Sequence, residues 1–434
     1  MSEVDLRRLG LDILGDVWGE RAYLGPGLSA AFKEYSDIDR RGRAFLTRLC
    51  FGTEEKLLFL DAVIDSYSKT PVKKLRPAML GILRISVYQI YFMDSVPEHA
   101  IVNEAVKLVR KRGMSSLSGF ANGVLRSVIR DGRDPESAIK RLLDAKRRDG
   151  ESGFNNTNFE ASIRYSIPGW IIELWERDYG RETCEEICRG FLKPSPITIW
   201  TNTDPIEIKR LDGGGAVEDM PGFYEGAFYV QDEASMQPVF MAGIRPGEKV
   251  LDVCASPGGK SLLAARHGAV VEARDISREK VKRIEENIIR MRMAPGEASA
   301  DRPDDGRGSV AARVWDATVY DEKSHGAYDV VIADLPCSGL GVLSKKPEIR
   351  YRVKPEDIDA LSGLQSRILD TVCAYLRPGG RLVFSTCTID RRENDENVDR
   401  FLAAHPDFKL KTTCQLLPEA GGHDGFFTAV IWKI

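Results

Sequence analysis

The chain has 434 residues, and at ~100–200 residues per domain that length points to two or three domains. With 43% hydrophobic and 29% charged residues the composition is that of a soluble globular protein, which excludes a disordered or fibrous chain, and no stretch approaches the ~18 uninterrupted apolar residues of a membrane span. The 62 Lys and Arg against 65 Asp and Glu leave a net charge of −3, silent about a polyanionic partner, and eight cysteines without tight pairing exclude a disulfide framework and point to a reducing cytoplasm.

The opening MSEVDLRRLG carries acids early and lacks a basic-then-apolar leader, so no secretory signal is expected. Residues 1–145 read as helical throughout. Apolar positions recur at helical spacing in Leu6, Leu9, Leu11 and Ile13, in Ala62, Val63 and Tyr67, and in Leu80, Ile82, Leu83, Val87 and Ile90. Stops are expected at Gly25-Pro26-Gly27, Thr70-Pro71, Val96-Pro97 and Gly132, which predicts a compact helical bundle. The charge is unevenly spread: residues 1–150 hold 26 Lys and Arg against 20 Asp and Glu, a net of +6, and the remainder carries −9. Basic residues cluster as Lys73, Lys74 and Arg76, as Lys107, Arg110, Lys111 and Arg112, and as Arg126, Arg130 and Arg133. Such a face suits nucleic acid, and a solvated helical surface has the same composition.

Residues 146–160 are polar with Gly and Asn and read as a linker. A helix around Trp170–Tyr179 and a strand over Pro196–Thr201 follow, so residues 158–225 read as a small α+β module in which glycines 213–215 mark a turn. From about residue 226 the period changes. Short β-branched runs recur at Lys249–Val253, Ala269–Glu272, Val310–Val314, Tyr328–Ala333, Arg381–Ser385 and Ala429–Ile431, separated by helical patterns such as Ser277–Met291 and Pro355–Leu376. Alternation of this kind predicts a parallel, doubly wound α/β sheet over 226–434. Residues 295–309 form an acidic, Gly- and Pro-rich insertion, read as a mobile loop.

The first motif with chemistry is Cys254-Ala255-Ser256-Pro257-Gly258-Gly259-Lys260, where an apolar strand runs through small residues into a helix. That geometry lets backbone N–H groups approach a ligand at the carboxyl edge of a sheet. Cys254 stands where a phosphate-binding loop needs Gly, and Gly258-Gly259 does not make a dinucleotide fingerprint. A purely structural tight turn is the other reading. Asp275 and Asp316 follow the next two strands; a carboxylate after the second strand accepts ribose hydroxyls, and one after the third can orient an adenine ring. Either alone is more often a helix cap, a place that favours Asp. In register with the glycine turn, the two point to an adenosine ligand.

The fourth strand ends in Asp334-Leu335-Pro336-Cys337-Ser338-Gly339 and the fifth in Ser385-Thr386-Cys387-Thr388. One cysteine at such a place reads as a small buried hydrophobe. Two at equivalent strand ends would converge on one crevice. Neither they, nor Cys184 and Cys188, nor the five histidines have the clustered spacing that tetrahedral zinc requires, so no metal site is expected.

The ordered set of these motifs resembles the RNA 5-methylcytosine methyltransferases, closest to the RsmB/Sun group that acts on bacterial small-subunit ribosomal RNA. The resemblance extends over nearly the whole chain. Arg41–Thr53, Val96–Val109 and Gly119–Arg126 look like its NusB-like helical domain, Tyr229–Ser235 leads into the catalytic domain, and Lys346–Ile358, Glu393–Val398 and His423–Phe427 also fit. Leu335 stands where the family has Ala, Trp315 where Gly precedes the third-strand Asp, and Trp200-Thr201-Asn202 lacks an Arg that concerns an RNA contact.

The resemblance implies three parts: an all-α NusB-like RNA-binding bundle at 1–145, the small α+β module at 158–225, and a Rossmann-like class I methyltransferase domain at 226–434. It implies transfer of a methyl group from S-adenosylmethionine to C5 of a cytosine in small-subunit (16S) ribosomal RNA, by a cytoplasmic monomer with no metal and no membrane contact. Cys387 is then the nucleophile that adds to C6, Cys337 assists release, and Asp334 binds near cytosine N3 or the cofactor. The turn Cys254, Ala255, Ser256, Pro257, Gly258, Gly259 and Lys260, with Asp275, Asp316 and Asp334, holds the cofactor. Lys260 is the cation expected beside the thiolate, whose pKa must be lowered.

Overall fold

The computed structural model describes residues 4–148, 156–193, 196–211, 217–296, 307–419 and 422–434. The turn expected at 213–215, most of the insertion at 295–309 and the centre of the linker at 146–160 lie outside the described residues. The chain divides into two compact units. One comprises Met1–Cys188 with Lys346–Arg352, and the other comprises Arg189–Lys345 with Val353–Ile434. The helices Asn156–Tyr165 and Gly169–Tyr179 therefore belong with the first unit, and the strand at Ile197–Thr201 with the second, so the expected module at 158–225 is shared between them.

The first unit is helical, as the apolar period requires. Its helix Pro77–Phe92 is buried on every side, through Met79, Ile82, Leu83, Ile85, Val87 and Ile90, which is why its sequence is apolar beyond a single stripe. Pro77 opens the helix where no N–H is needed. Gly52 allows close packing, because a Cβ there would lie 1.9 Å from the Tyr88 hydroxyl. The Gly25-Pro26-Gly27 run does not stop a helix; it lies in the first turn of helix Leu24–Glu34, where proline is tolerated. The segment Lys346–Arg352 packs into this same unit. Glu348 accepts a hydrogen bond from the Leu24 N–H at 3.0 Å, and the buried Arg350 donates to the Ser166 carbonyl at 3.3 Å.

The second unit carries ten strands among its described residues. A three-stranded antiparallel sheet has β1 (Ile197–Thr201) between β2 (Ile208–Leu211) and β3 (Phe228–Val230). The larger sheet comprises β4 (Lys249–Asp252), β5 (Val270–Asp275), β6 (Ser309–Val314), β7 (Tyr328–Asp334), β8 (Leu376–Thr386), β9 (Phe408–Leu416) and β10 (Phe426–Lys433), in the order β6-β5-β4-β7-β8-β10-β9. Strands β4 to β8 run parallel, but β10 is antiparallel to β8 and β9 to β10. The expected all-parallel sheet is thus mixed at one edge. Chain order reverses at β4 and β7, the place where open α/β sheets leave a crevice beyond the strand ends. Both faces are covered, one by an apolar cluster containing Leu262, Ile284 and Val330, the other by one containing Leu369, Phe384 and Phe401.

Candidate active site

Beyond Asp252 the chain turns through Val253 to Gly258 and enters helix Gly259–Arg266. The turn is tied to its neighbours by backbone groups: the Ala255 N–H donates to the Arg274 carbonyl at 2.9 Å, and the Ser256 N–H to Asp275 Oδ2 at 3.1 Å. Gly258 has φ +105°, a conformation that L side chains rarely adopt. At Gly259 a Cβ would lie 3.0 Å from the Tyr229 ring. The two glycines are therefore required by backbone shape and by close approach.

Three carboxylates gather at the carboxyl ends of β4, β5 and β7. Asp252 is fully buried, accepts a hydrogen bond from Ser261 Oγ at 2.7 Å, and has a second oxygen, Oδ1, with no hydrogen-bond partner. Burial pushes its pKa up to about 7, with the charges of Asp334 and Asp275 adding to the rise. Asp275 is buried and receives the N–H groups of Ser256 and Ile276, while Lys280 approaches at 3.1 Å. Asp334 accepts from Ser385 Oγ at 2.9 Å and pairs with Lys260 Nζ at 2.6 Å. Lys260 also donates to Ser235 Oγ at 3.0 Å and lies over the Phe426 ring at 5.3 Å. Its charge partner is thus Asp334. The same carboxylates, with burial as the larger cause, hold the Cys254 thiol above its ordinary pKa.

Asp334 and Ser385 are paired residues of the parallel neighbours β7 and β8. Each strand runs on into its cysteine, and Cys337 Sγ and Cys387 Sγ lie 3.3 Å apart. The contact with Cys387, then burial, raises the Cys337 pKa well above that of a free thiol. Two thiols so placed can act on successive steps at one bound ring, one adding to it and the other assisting release.

Asp316 is half-buried, unlike the buried Asp275. Its Oδ1 takes the Thr318 N–H at 2.9 Å and the Thr318 hydroxyl at 2.7 Å, and that hydroxyl is the main reason its pKa lies below the ordinary value. The neighbouring Trp315 N–H donates to the Asp275 carbonyl at 2.9 Å, so both acids stand at the same sheet edge. Sequence reasoning did not single out Asp252, Ser235 or Ser385 as site residues. Only their place beside the motifs marks them, because Ser and Asp are equally common in turns. Among the described residues no group of His, Cys, Asp and Glu could hold a metal ion, and no helix is long and apolar enough to cross a membrane.

Residues 240–431 match the family described as 16S rRNA methyltransferase RsmB/F, and residues 6–130 match the NusB family. The chain is 31% identical to the probable ribosomal RNA small subunit methyltransferase B of Bacillus subtilis, with 100% of both chains covered. It is 29% identical to the ribosomal RNA small subunit methyltransferase B of Pectobacterium atrosepticum, over 100% of this chain and 99% of that one. The crystal structure of PH0851 shares the fold at TM-score 0.75 and 24% identity, with both chains covered in full. A methyltransferase homolog protein from Pyrococcus horikoshii aligns with 65% of this chain and 100% of its own at TM-score 0.53 and 22% identity.

Proposed function

Because the chain belongs to the RsmB/F family of 16S rRNA methyltransferases, we propose that it methylates C5 of a cytosine in small-subunit ribosomal RNA, acting in the cytoplasm as a monomer. The observation that carries this reading is the 3.3 Å approach of the Cys337 and Cys387 thiols beside the Lys260–Asp334 pair. Methylation at nitrogen would need no thiol. C5 of cytosine is a poor nucleophile, and a covalent bond to C6 makes it a good one.

The residues at the crevice fit S-adenosylmethionine. The carboxylates Asp252, Asp275 and Asp334 favour a cationic ligand, and the Asp252 oxygen without a partner is a buried acceptor for one. The turn Cys254–Lys260, with Asp275 and Asp316, would hold the nucleoside and the amino-acid end. When bound, the cofactor supplies an electrophilic methyl group.

In this reading Cys387 Sγ, as thiolate, forms a bond to C6, and the C5–C6 double-bond electrons become available at C5 for the new carbon–carbon bond. Asp334 would bind at cytosine N3 and offset charge in the activated ring. The C5 proton then leaves to a base, its bonding electrons restore the C5–C6 double bond, and the S–C6 bond breaks to return the thiolate. Cys337 assists this release. The base must be unstacked to enter the crevice, so its target lies in a loop or is flipped from structured RNA. The helical part at 1–145 and the short stretch 158–225 would grip phosphates ahead of the catalytic part at 226–434. Lys73, Lys74, Arg76, Arg110, Lys111, Arg126 and Arg130 are exposed and available for that purpose.

Bisulfite sequencing of small-subunit ribosomal RNA from cells with and without the gene tests the proposal. One cytosine is expected to lose its protection. If none changes, the assignment falls.

A further inference from the structure

The run Glu393-Asn394 lies just beyond the Cys387 loop, at the start of helix Asp395–Ala404, and both side chains are fully buried. An acidic, amide-rich helix start ordinarily faces water. Here each side chain spends its polar atoms on a different cysteine loop. Glu393 Oε1 accepts the Ser338 N–H, the residue after Cys337, at 2.9 Å. The same oxygen accepts Gln365 Nε2 at 3.0 Å, and Gln365 Nε2 also donates to the Pro336 carbonyl at 2.8 Å. Cys337 is thus flanked on both sides by backbone groups held by one side-chain pair. Asn397 Nδ2 in turn donates to Gln365 Oε1 at 2.8 Å and fixes the amide's orientation.

Asn394 serves the other loop. Its Oδ1 accepts the Thr386 hydroxyl at 2.5 Å, and its Nδ2 donates to the Thr388 carbonyl at 3.1 Å, so the residues on either side of Cys387 are both held. Gln415 on β9 takes the remaining amide hydrogen at 2.8 Å. Besides the contact of the two thiols, the loops are joined by Ser338 Oγ and Thr388 Oγ1, 2.8 Å apart, and by the Gly341 N–H on the Cys387 carbonyl at 3.1 Å.

We propose that Glu393 and Asn394 form a two-sided clamp of positioning residues, Glu393 setting the Cys337 thiol for the release step and Asn394 setting the Cys387 thiol for addition to C6. The inference rests on the covalent reading given above. Glu393 acts as an acceptor rather than as a store of charge, since a single oxygen makes both of its hydrogen bonds while Oε2 has no partner. Losing a buried acceptor leaves the Ser338 N–H unsatisfied and frees the loop, and a misplaced reacting group costs on the order of 10²-fold in rate.

The test uses the full chain, S-adenosylmethionine and ribosomal RNA, and follows covalent adduct on denaturing gels beside turnover, with the Cys337→Ala protein as the reference for adduct formation. Glu393→Ala is expected to accumulate adduct and to lose turnover at least tenfold, with cofactor affinity unchanged. Glu393→Gln retains the acceptor oxygen and is expected to restore turnover with the parent's pH profile. Asn394→Ala is expected to form adduct at least tenfold more slowly. Equal loss of addition and release in both alanine variants would overturn the division of labour, as would a Glu393→Gln protein as impaired as Glu393→Ala. Absence of adduct with Cys337→Ala itself refutes the covalent reading instead, so the two failures are distinguishable.

Discussion

Lys260 Nζ lies 2.6 Å from Asp334 Oδ2, an ion pair that joins the helix after the glycine turn to the strand end that leads to Cys337. Lys260 is 9% exposed and Asp334 29%, so water screens the pair only partly. Removing one partner of a buried pair leaves the other charge uncompensated, at ~3–5 kcal/mol when burial is complete.

Lys260→Met is therefore expected to destabilise the chain by about 2 kcal/mol, below the fully buried figure because Asp334 is partly exposed. Methylation should fall more than tenfold. In Lys260→Met/Asp334→Asn the orphaned charge is gone, so stability returns while activity does not. Denaturant midpoints and single-turnover rates measure the two effects. Equal stability losses in the single and double variants would show that the pair is not coupled.

The thiol pair makes a second, asymmetric prediction. Cys387→Ala keeps the fold, because a small half-buried side chain is replaced by a smaller one, and methylation is abolished. Cys337→Ala accumulates a covalent RNA–protein adduct that resists denaturant. Mass spectrometry of the protein after nuclease digestion locates the adduct on Cys387. Full activity of Cys387→Ala is the outcome that removes the thiol from the reaction.

Gly258 provides a third. Its φ of +105° makes any L side chain strained at a cost of about 1–3 kcal/mol, although the only close atoms belong to Ile284, the nearest of them 3.3 Å from a built Cβ. Gly258→Ala is expected to weaken S-adenosylmethionine binding by roughly tenfold in calorimetric titrations, since part of that cost appears in the bound geometry of the turn. The fold persists. An unchanged affinity would separate the turn from the cofactor.

Much of this site is legible in the residue order. Strand ends carrying Asp275, Asp334, Cys337 and Cys387 stand out because β-branched runs stop at small or polar residues. Once β7 and β8 are neighbours, the cysteines three and one residues beyond them must meet. Strand β9 escapes the same reading because five of its nine residues, all but Phe408 and the last three, are exposed and Lys- and Thr-rich, as an edge strand must be. The antiparallel placement of β10 is equally hidden, since one short apolar run looks alike in either direction. Glu393 and Asn394 stand in the sequence only as part of the family-like stretch Glu393–Val398, and their positioning role is hidden for a different reason. Their partners include backbone groups and side chains distant in sequence, one of them 55 residues away, and an acidic run carries no local mark of burial. Asp316 reads like Asp275 in the sequence, yet it caps its own exposed turn while Asp275 is buried against the glycine turn.

The last prediction concerns Glu54 in the helical unit. It is buried and accepts Trp18 Nε1 at 2.7 Å. Burial raises its pKa from 4.5 to about 7; the Trp18 hydrogen bond and the charges of Arg84 and Arg350 oppose the rise, and Glu348 adds to it. The folded state therefore holds this proton more tightly than the unfolded chain does. Between about pH 4.5 and 7 the folded form binds more protons, so the stability contributed at this position falls as pH rises through that window, and the penalty is complete above it. Glu54→Gln keeps an oxygen for the indole and removes the ionisation. Relative to the parent it should gain almost nothing at pH 4.5 and about 3 kcal/mol at pH 8, from the rise of 4.5 to about 7 at 1.36 kcal/mol per pKa unit. Chemical denaturation of both proteins at pH 4.5, 6 and 8 gives the difference directly. A difference that stays constant with pH would mean that Glu54 is ionised in the fold and that the neighbouring arginines, rather than burial, decide its charge.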